Sequence, residues 1–219
     1  MVDNQKAYEN GLEDLKLTCE AFIDKLKKES PVKKLDKLIV QCNSRNDDLK
    51  YSLENVRGIS IEKCFIPTTA NMKGVSLKPY LLVKPDEFAY VPVTSRNGGK
   101  ISIAHNASEK TYLCSASYIV FRVNSTTELI PDYLSLLFNR GEFDRYSRFN
   151  SWGSARETFD WNELCDVKIP LPSLEIQQSI VNIFKAYNDR RCINEQLKEE
   201  IKNICPILIK GSIEEARKA

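Results

Sequence analysis

Apolar residues recur at alternating steps of four and three near both ends of this 219-residue chain. In the first stretch these positions are Tyr8, Leu12, Leu15, Cys19, Phe22 and Leu26. In the last stretch they are Ile176, Ile180, Ile183, Tyr187, Leu197, Ile201, Ile204 and Leu208, with polar Arg190 and Asn194 between them. Such heptads, sustained over about three to five repeats, are typical of helices that pack against a partner helix. The pattern predicts two long helices, each with an apolar seam.

Proline positions set the predicted limits of these helices. The first should occupy residues 3–29, because Pro31 excludes helix from the residue before it. The second should follow the extended segment that contains Pro170 and Pro172, and run over residues 174–204 before Pro206 breaks it.

The segment between the helices changes to short β-branched and aromatic runs separated by turn residues. These runs are residues 58–66, 80–84, 88–93, 101–105 and 112–123. Successive strands of this kind predict an α+β fold with a mixed, mainly antiparallel sheet. Pro131 should open a helix over residues 132–140, and Asp160 should cap a shorter helix that reaches Leu164.

Composition narrows the class of protein. The hydrophobic content of 42% and charged content of 28% are ordinary for a globular protein. No run of eighteen apolar residues and no signal-like N-terminus occurs, so we expect a cytoplasmic protein. The seven cysteines are widely spaced without a Cys-x-x-Cys pair, which favours reduced thiols. A net charge of +2 does not by itself indicate a nucleic-acid partner. The excess of Lys and Arg over Asp and Glu lies in the segment between the two helices.

Motifs for catalysis are missing from the sequence. His105 is the only histidine, which excludes a histidine-based metal cluster or catalytic triad. There is no Asn-Pro-Pro-aromatic motif, Gly-rich cofactor loop or phosphate loop. The pair at residues 85–86 resembles part of a nuclease motif, but the Glu-x-Lys at residues 200–202 falls in the predicted helix. We therefore expect neither catalytic residues nor a cofactor.

Four segments resemble specificity subunits of type I restriction-modification systems. They are residues 55–60 (Asn-Val-Arg-Gly-Ile-Ser), 112–121, 153–156 (Gly-Ser-Ala-Arg) and 169–178 (Ile-Pro-Leu-Pro-Ser-Leu-Glu-Ile-Gln-Gln). The last is the most specific, because a proline pair leads into a helix that begins with glutamines. Members of that family normally carry two target-recognition domains, whereas this chain has room for one.

The resemblance implies a non-catalytic protein that binds double-stranded DNA. It implies a spacer helix at residues 1–30, a target-recognition domain at 31–172 and a conserved coiled-coil helix at 173–219. The partners would be methyltransferase subunits and a restriction subunit, directed to a bipartite site. Two alternatives stay open: the specificity partner of a fused restriction-methylation enzyme, and a coiled-coil adaptor that does not bind DNA.

Two segments carry candidate DNA contacts. The first is the polar loop at residues 94–100, where Arg96, Asn97 and Lys100 could reach groove edges, although the same loop could be a plain hairpin turn. The second spans residues 140–156, with four arginines against two carboxylates. Its candidates are Arg145, Arg148, Ser151, Ser154 and Arg156. The family pattern also places a basic residue at the Arg156 position.

Aromatic residues recur at every third position of the second segment, at Phe143, Tyr146, Phe149 and Trp152. They could form the core face of a helix or could stack on bases.

The apolar seams are candidate interfaces, because an exposed seam of this size favours association. The candidate interface residues are Leu12, Leu15, Phe22, Leu26, Ile180, Ile183, Tyr187, Leu197 and Ile201. They could join the chain to a second copy, in a homodimer, or to another half-subunit. The sequence leaves open whether the helices pair within one chain or between two.

Overall fold

The computed structural model describes residues 2–95, 99–154 and 156–216, and the side chains within residues 8–204 of those ranges. It divides into two compact units. One, the helical unit, contains the residues up to Lys25 and those from Ile180 onward. The other, the body, is Leu26–Ser179. The functional division at residues 30/31 and 172/173 stays a prediction.

Two long helices bracket the chain, as predicted: α1 is Val2–Glu29 and α5 is Leu174–Ala216. The predicted end of α5 near residue 204 is wrong, because the helix continues through Pro206. A proline inside a helix removes one backbone hydrogen bond and crowds the preceding turn, but good helix formers on both sides can maintain the helix.

Contacts inside the helical unit join α1 to α5. The Tyr8 hydroxyl donates to the Arg190 carbonyl oxygen at 3.2 Å, and the Lys198 ammonium lies 2.5 Å from the Glu9 carboxylate. The helices therefore contact each other within one chain, which is one of the two arrangements that the heptads left open.

The body is an α+β structure with antiparallel sheets, as predicted. Its strands are β1 Val32–Lys34, β2 Ile39–Cys42, β3 Arg57–Ile59, β4 Phe65–Pro67, β5 Leu81–Val83, β6 Glu87–Tyr90, β7 Ile103–His105, β8 Tyr112–Cys114, β9 Ile119–Val123 and β10 Lys168–Pro170. Four of them form a sheet in the order β2-β9-β6-β7, and the pairs β1-β10, β3-β4 and β5-β8 stand beside it. Its helices are α2 Pro131–Phe138, α3 Gly141–Phe149 and α4 Trp161–Asp166.

Aromatic rings fill the space between the four-stranded sheet and the helices. Phe88 of β6 stacks on Phe121 of β9 with ring centroids 5.0 Å apart, and Phe138 of α2 meets Phe88 edge-on at 5.9 Å. Phe143 of α3 lies 4.5 Å from Phe138. Burying such rings is strongly favourable, and their offset and edge contacts add to it. The start of α3 is thereby fixed against the sheet.

The predicted helix starts are confirmed in detail. Pro131 is the first residue of α2, and the Asp160 carboxylate accepts the Glu163 amide at 3.0 Å at the start of α4. The motif that leads into α5 is held by Gln177, which is fully buried. Its amide donates to the carbonyl oxygens of Glu128 and Pro172, and accepts from the Ile130 amide, all within 2.9 Å. This part of the motif therefore has a structural role.

Candidate nucleic-acid interface

The two candidate DNA segments lie side by side in the body. The first is the loop between β6 and β7, whose flanking strands pair antiparallel. At its start, the Thr94 amide donates to the Glu157 carbonyl oxygen at 2.9 Å, and the hydroxyls of Thr94 and Ser151 lie 3.0 Å apart. At its end, the Ile101 amide donates to the Asp144 carboxylate at 3.1 Å. Both ends of the loop are thus attached to α3 or to the segment that follows it.

A buried ion pair sets the position of α3. The Lys63 ammonium lies 2.8 Å from the Asp144 carboxylate and donates to the Phe138 carbonyl oxygen at 2.5 Å. Desolvation by burial lowers the pKa of Lys63, while Asp144 opposes that shift through its hydrogen bond and its charge. Because Asp144 also accepts the Ile101 amide, one carboxylate joins the β3-β4 turn, α3 and the loop.

Five of the candidate DNA contacts are exposed to solvent, namely Lys100, Arg145, Arg148, Ser154 and Arg156. Together with Phe149 and Trp152 we call them the basic-aromatic surface. The Lys100 ammonium pairs with Glu62 at 2.8 Å, and Arg148 pairs with Glu157. The hydrogen bond from Lys100 to Glu62 raises the pKa of the lysine. Lys100 therefore stays positively charged at neutral pH. Phosphate contact by Lys100 or Arg148 would require each side chain to exchange its carboxylate partner.

The other three candidate DNA contacts are either buried or outside the described residues. Arg96 and Asn97 lie outside the described residues. Ser151 is buried, and its hydroxyl donates to the Ser147 carbonyl oxygen at 2.6 Å. The structure places Ser151 at the junction with Thr94, and its phosphate contact stays a prediction.

The aromatic stripe of the second segment divides into two pairs. Phe143 is buried and Tyr146 is half-buried, so this pair faces the core. Phe149 is 78% exposed and Trp152 is 61% exposed. Neither alternative from the sequence describes all four rings, because α3 ends at Phe149 and the chain then leaves the helical path.

A glycine shapes the turn that carries Arg156. Gly153 has φ +131°, and a Cβ placed there would lie 2.3 Å from the Arg156 carbonyl oxygen. Both the backbone conformation and the close approach require glycine. The close approach of the Arg156 backbone to Gly153 therefore depends on glycine at that position.

The candidate interface residues differ in exposure. Ile180, Tyr187 and Leu26 are buried, whereas Leu12 and Leu15 are half-buried. The remaining four are exposed: Phe22, Ile183, Leu197 and Ile201. Two of these four, Leu197 and Ile201, lie in the second half of α5, and the role of the seam as an interface stays a prediction.

Sequence reasoning missed the Lys63–Asp144 pair and the strands β1, β2 and β10. A lysine in a turn and an aspartate in the first turn of a helix both look like solvated surface residues. The proline-containing motif and Gln177 were found only as a family pattern, although a glutamine four residues after a serine at a helix start could have suggested a buried anchor.

Metal and membrane features can be tested only where the structure is described. No group of three or more His, Cys, Asp or Glu side chains suited to a metal ion occurs in the described part of the chain. Among the same residues, no helix is both long and apolar enough to cross a membrane.

Comparison with known proteins agrees with the sequence resemblance. Residues 88–203 match the model of the type I restriction modification DNA specificity domain. Because this match covers more than half of the chain, the chain belongs to that family. A search of the curated proteins found no match.

Solved structures share the fold. The chain is similar to the HsdS subunit from Thermoanaerobacter tengcongensis, with a TM-score of 0.54 and 12% identity over 89% of this chain and 48% of that one. A second similar chain comes from work on complex assembly and conformational transition of the type I R-M system. Its TM-score is 0.52, with 13% identity over 92% of this chain and 52% of that one. The chain spans about half the length of these structures.

Proposed function

We propose that this chain selects the DNA sequence for a type I restriction-modification complex and reads it with the basic-aromatic surface. The observation that carries the proposal is the attachment of the loop around residues 94–100 to α3 and its following turn. Two segments that are far apart in sequence thereby supply one surface with four exposed basic side chains. Phosphate contacts set the register of such a protein on DNA, and a few side chains at base edges discriminate between sequences.

The basic residues have distinct roles in this proposal. Arg145 and Arg156 contact phosphate or the major groove, where an arginine can hydrogen-bond guanine through two donors. Lys100 and Arg148 exchange their carboxylate partners for DNA phosphates. Arg96 and Asn97 of the same loop are proposed base contacts, and Ser154 is a proposed phosphate donor.

The chain acts in this scheme without catalytic residues or a cofactor of its own. Methyltransferase subunits supply the methylation chemistry and a restriction subunit supplies cleavage. The exposed seam residues of α5 pair with a second copy of the chain or with another half-subunit, because large apolar side chains repeated along a helix in water favour association. A two-fold pair would recognise a bipartite palindrome whose gap is set by the helices.

Titration of a random-sequence duplex, with and without a methyltransferase subunit, tests the DNA role. We expect Arg156→Ala to weaken binding and to reduce the slope of log affinity against log salt by about one, the loss of one phosphate contact. Lys73→Ala is the matched control, since Lys73 is an exposed basic residue in a turn outside the two candidate DNA segments. Equal affinity and slope for wild type and Arg156→Ala would contradict the role of Arg156.

Assembly is tested separately by sedimentation at micromolar concentration. The proposal expects a dimer of the chain, and a monodisperse monomer both alone and with the methyltransferase subunit would contradict it.

A further inference from the structure

Phe149 and Trp152 are unusual in how fully they are exposed beside aromatic residues that are buried. Six residues before Phe149 in the same stripe, Phe143 packs against Phe138 and Phe159 in the core. Phe149 and Trp152 instead leave most of their ring surface in water, at 78% and 61% exposure. A single exposed aromatic residue is common, but two large rings three positions apart make a concentrated apolar patch.

The backbone that carries these rings is held firmly. The amide and carbonyl of Trp152 both hydrogen-bond to Thr158, at 3.0 and 2.9 Å. Between the two rings, Ser151 is anchored in the interior by Thr94 and by the Ser147 carbonyl oxygen. The chain therefore turns inward at residue 151 and presents its neighbours on either side to solvent. Rigid presentation lowers the entropy cost of using these rings in binding.

Arginines outnumber carboxylates around the two rings. Arg145 lies one helical turn before Phe149 on the same face of α3, and Arg148 directly precedes it. The Arg156 backbone approaches Gly153, the residue after Trp152. Two carboxylates also lie close: Glu157 is paired with Arg148, and Glu163 accepts the Trp152 indole N–H at 3.3 Å. An apolar patch flanked by arginines complements nucleic acid, where phosphates surround flat bases.

We infer that Phe149 and Trp152 stack on bases of the bound DNA, at a base step that the protein opens. This inference rests on the proposed function and adds a specific mode of contact to it. Aromatic side chains stack on bases with a gain that corresponds to about 5- to 150-fold in affinity per base. Apolar side chains inserted at a base step also bend the duplex, so the cost of opening the step depends on its sequence. The two rings then contribute to sequence choice without hydrogen-bonding any base edge.

Tryptophan fluorescence provides a direct test, because the chain has two tryptophans. Trp161 is half-buried and packs against Phe121 with ring centroids 5.7 Å apart. In a Trp161→Phe variant, Trp152 is the only emitting tryptophan. The probe is a duplex with the sequence that methylome sequencing of expressing cells identifies, and a scrambled duplex of equal length is its control. Stacking predicts quenching of Trp152 emission by the first duplex and much weaker quenching by the second.

Affinity measurements in the otherwise wild-type chain provide the second test. We expect Phe149→Ala to weaken binding of the identified duplex by about 5- to 150-fold. Phe149→Tyr keeps the aromatic ring and should therefore bind the duplex as tightly as the wild type. Leu53→Ala is the matched control, since Leu53 is a comparably exposed apolar residue elsewhere in the body. Phe149→Leu separates stacking from simple apolar contact, because leucine is apolar without a ring.

The outcomes separate this inference from the proposed function. If the duplex binds but Trp152 emission is unchanged, and Phe149→Ala binds as wild type does, the stacking inference is overturned while the DNA role stands. If Phe149→Leu matches wild type, the contact is apolar and stacking is likewise overturned. If no duplex binds, with or without a methyltransferase subunit, both fail. Loss of methyltransferase binding in Phe149→Ala, with unchanged DNA affinity, would assign the rings to a protein partner and overturn the inference.

Discussion

Replacing Asp144 by alanine should destabilise the body strongly, because the change leaves Lys63 as a buried charge without its counterion. The two side chains are 5% and 12% exposed, and the carboxylate also accepts the Ile101 amide. Breaking a buried ion pair by removing one partner costs about 3–5 kcal/mol. The free energy of unfolding of a whole domain is typically about 5–15 kcal/mol, so this loss is a large part of it. For a body of this size the thermal midpoint should fall by about 6–20 °C.

The assay is thermal unfolding followed by circular dichroism, with Glu128→Ala as the control. Glu128 forms an exposed pair with Lys33 at 2.8 Å, which should be worth about 0–1 kcal/mol. A double replacement, Lys63→Met with Asp144→Leu, should recover most of the stability, because apolar side chains of similar volume can replace a buried pair. Equal midpoints for Asp144→Ala and Glu128→Ala would refute the assigned role of the pair.

The stability of Asp144→Ala should also change with pH in a way that differs from the wild type. Burial already lowers the pKa of Lys63, and loss of Asp144 removes the interactions that oppose this shift. The folded variant should then release the Lys63 proton at lower pH than the unfolded chain, whose lysine pKa is about 10.4. The unfolded state binds more protons in that window, so stability rises with pH. The difference in free energy of unfolding between wild type and Asp144→Ala should therefore become smaller between neutral pH and about pH 10. A difference that stays constant or grows would contradict the assigned burial of Lys63.

Four further changes test other parts of the molecule. Gln177→Ala should cost at least about 2 kcal/mol in denaturant unfolding, because it removes the partner of three backbone groups that are buried or partly buried; a loss near zero would contradict its role as an anchor. Gly153→Ala should cost about 1–3 kcal/mol and weaken DNA binding through strain in its turn; unchanged melting would argue against that strain. Glu157→Gln should strengthen binding to random duplex, because it releases a paired arginine; weaker binding would contradict this. Ile183→Asp with Leu197→Asp should shift a dimer to monomer in sedimentation without lowering the melting midpoint of the body, and an unchanged dimer would remove the seam from the interface.

The strongly patterned elements of the fold could be predicted from the sequence. The heptads predicted α1 and α5, and the five short apolar runs predicted an antiparallel arrangement of strands. Two of the runs, residues 58–66 and 112–123, each proved to contain two strands separated by a turn. Pro131 and Asp160 marked helix starts correctly because proline and capping act locally. By contrast, β1 and β10 are three-residue strands that exist because they pair with each other, so neither has a local signal.

The candidate site was predictable as a set of segments, but its geometry was not. Arginine content and turn chemistry identified the loop around residues 94–100 and the stretch at 140–156. Their attachment through Thr94 and Asp144 is a long-range contact, which no local pattern encodes. The end of α3 at Phe149 separates the buried rings from the exposed ones, and that boundary depends on packing against the sheet.

The central claim, that the basic-aromatic surface selects the DNA sequence, is tested most directly by methylome sequencing. Cells would express this chain together with its cognate methyltransferase subunit, as wild type or as the triple variant Arg145→Ala, Arg148→Ala, Arg156→Ala. We predict one methylated sequence with the wild type, and loss or relaxation of that sequence with the variant at equal expression and unchanged thermal midpoint. The same sequence, methylated to the same extent by the variant, would contradict the account.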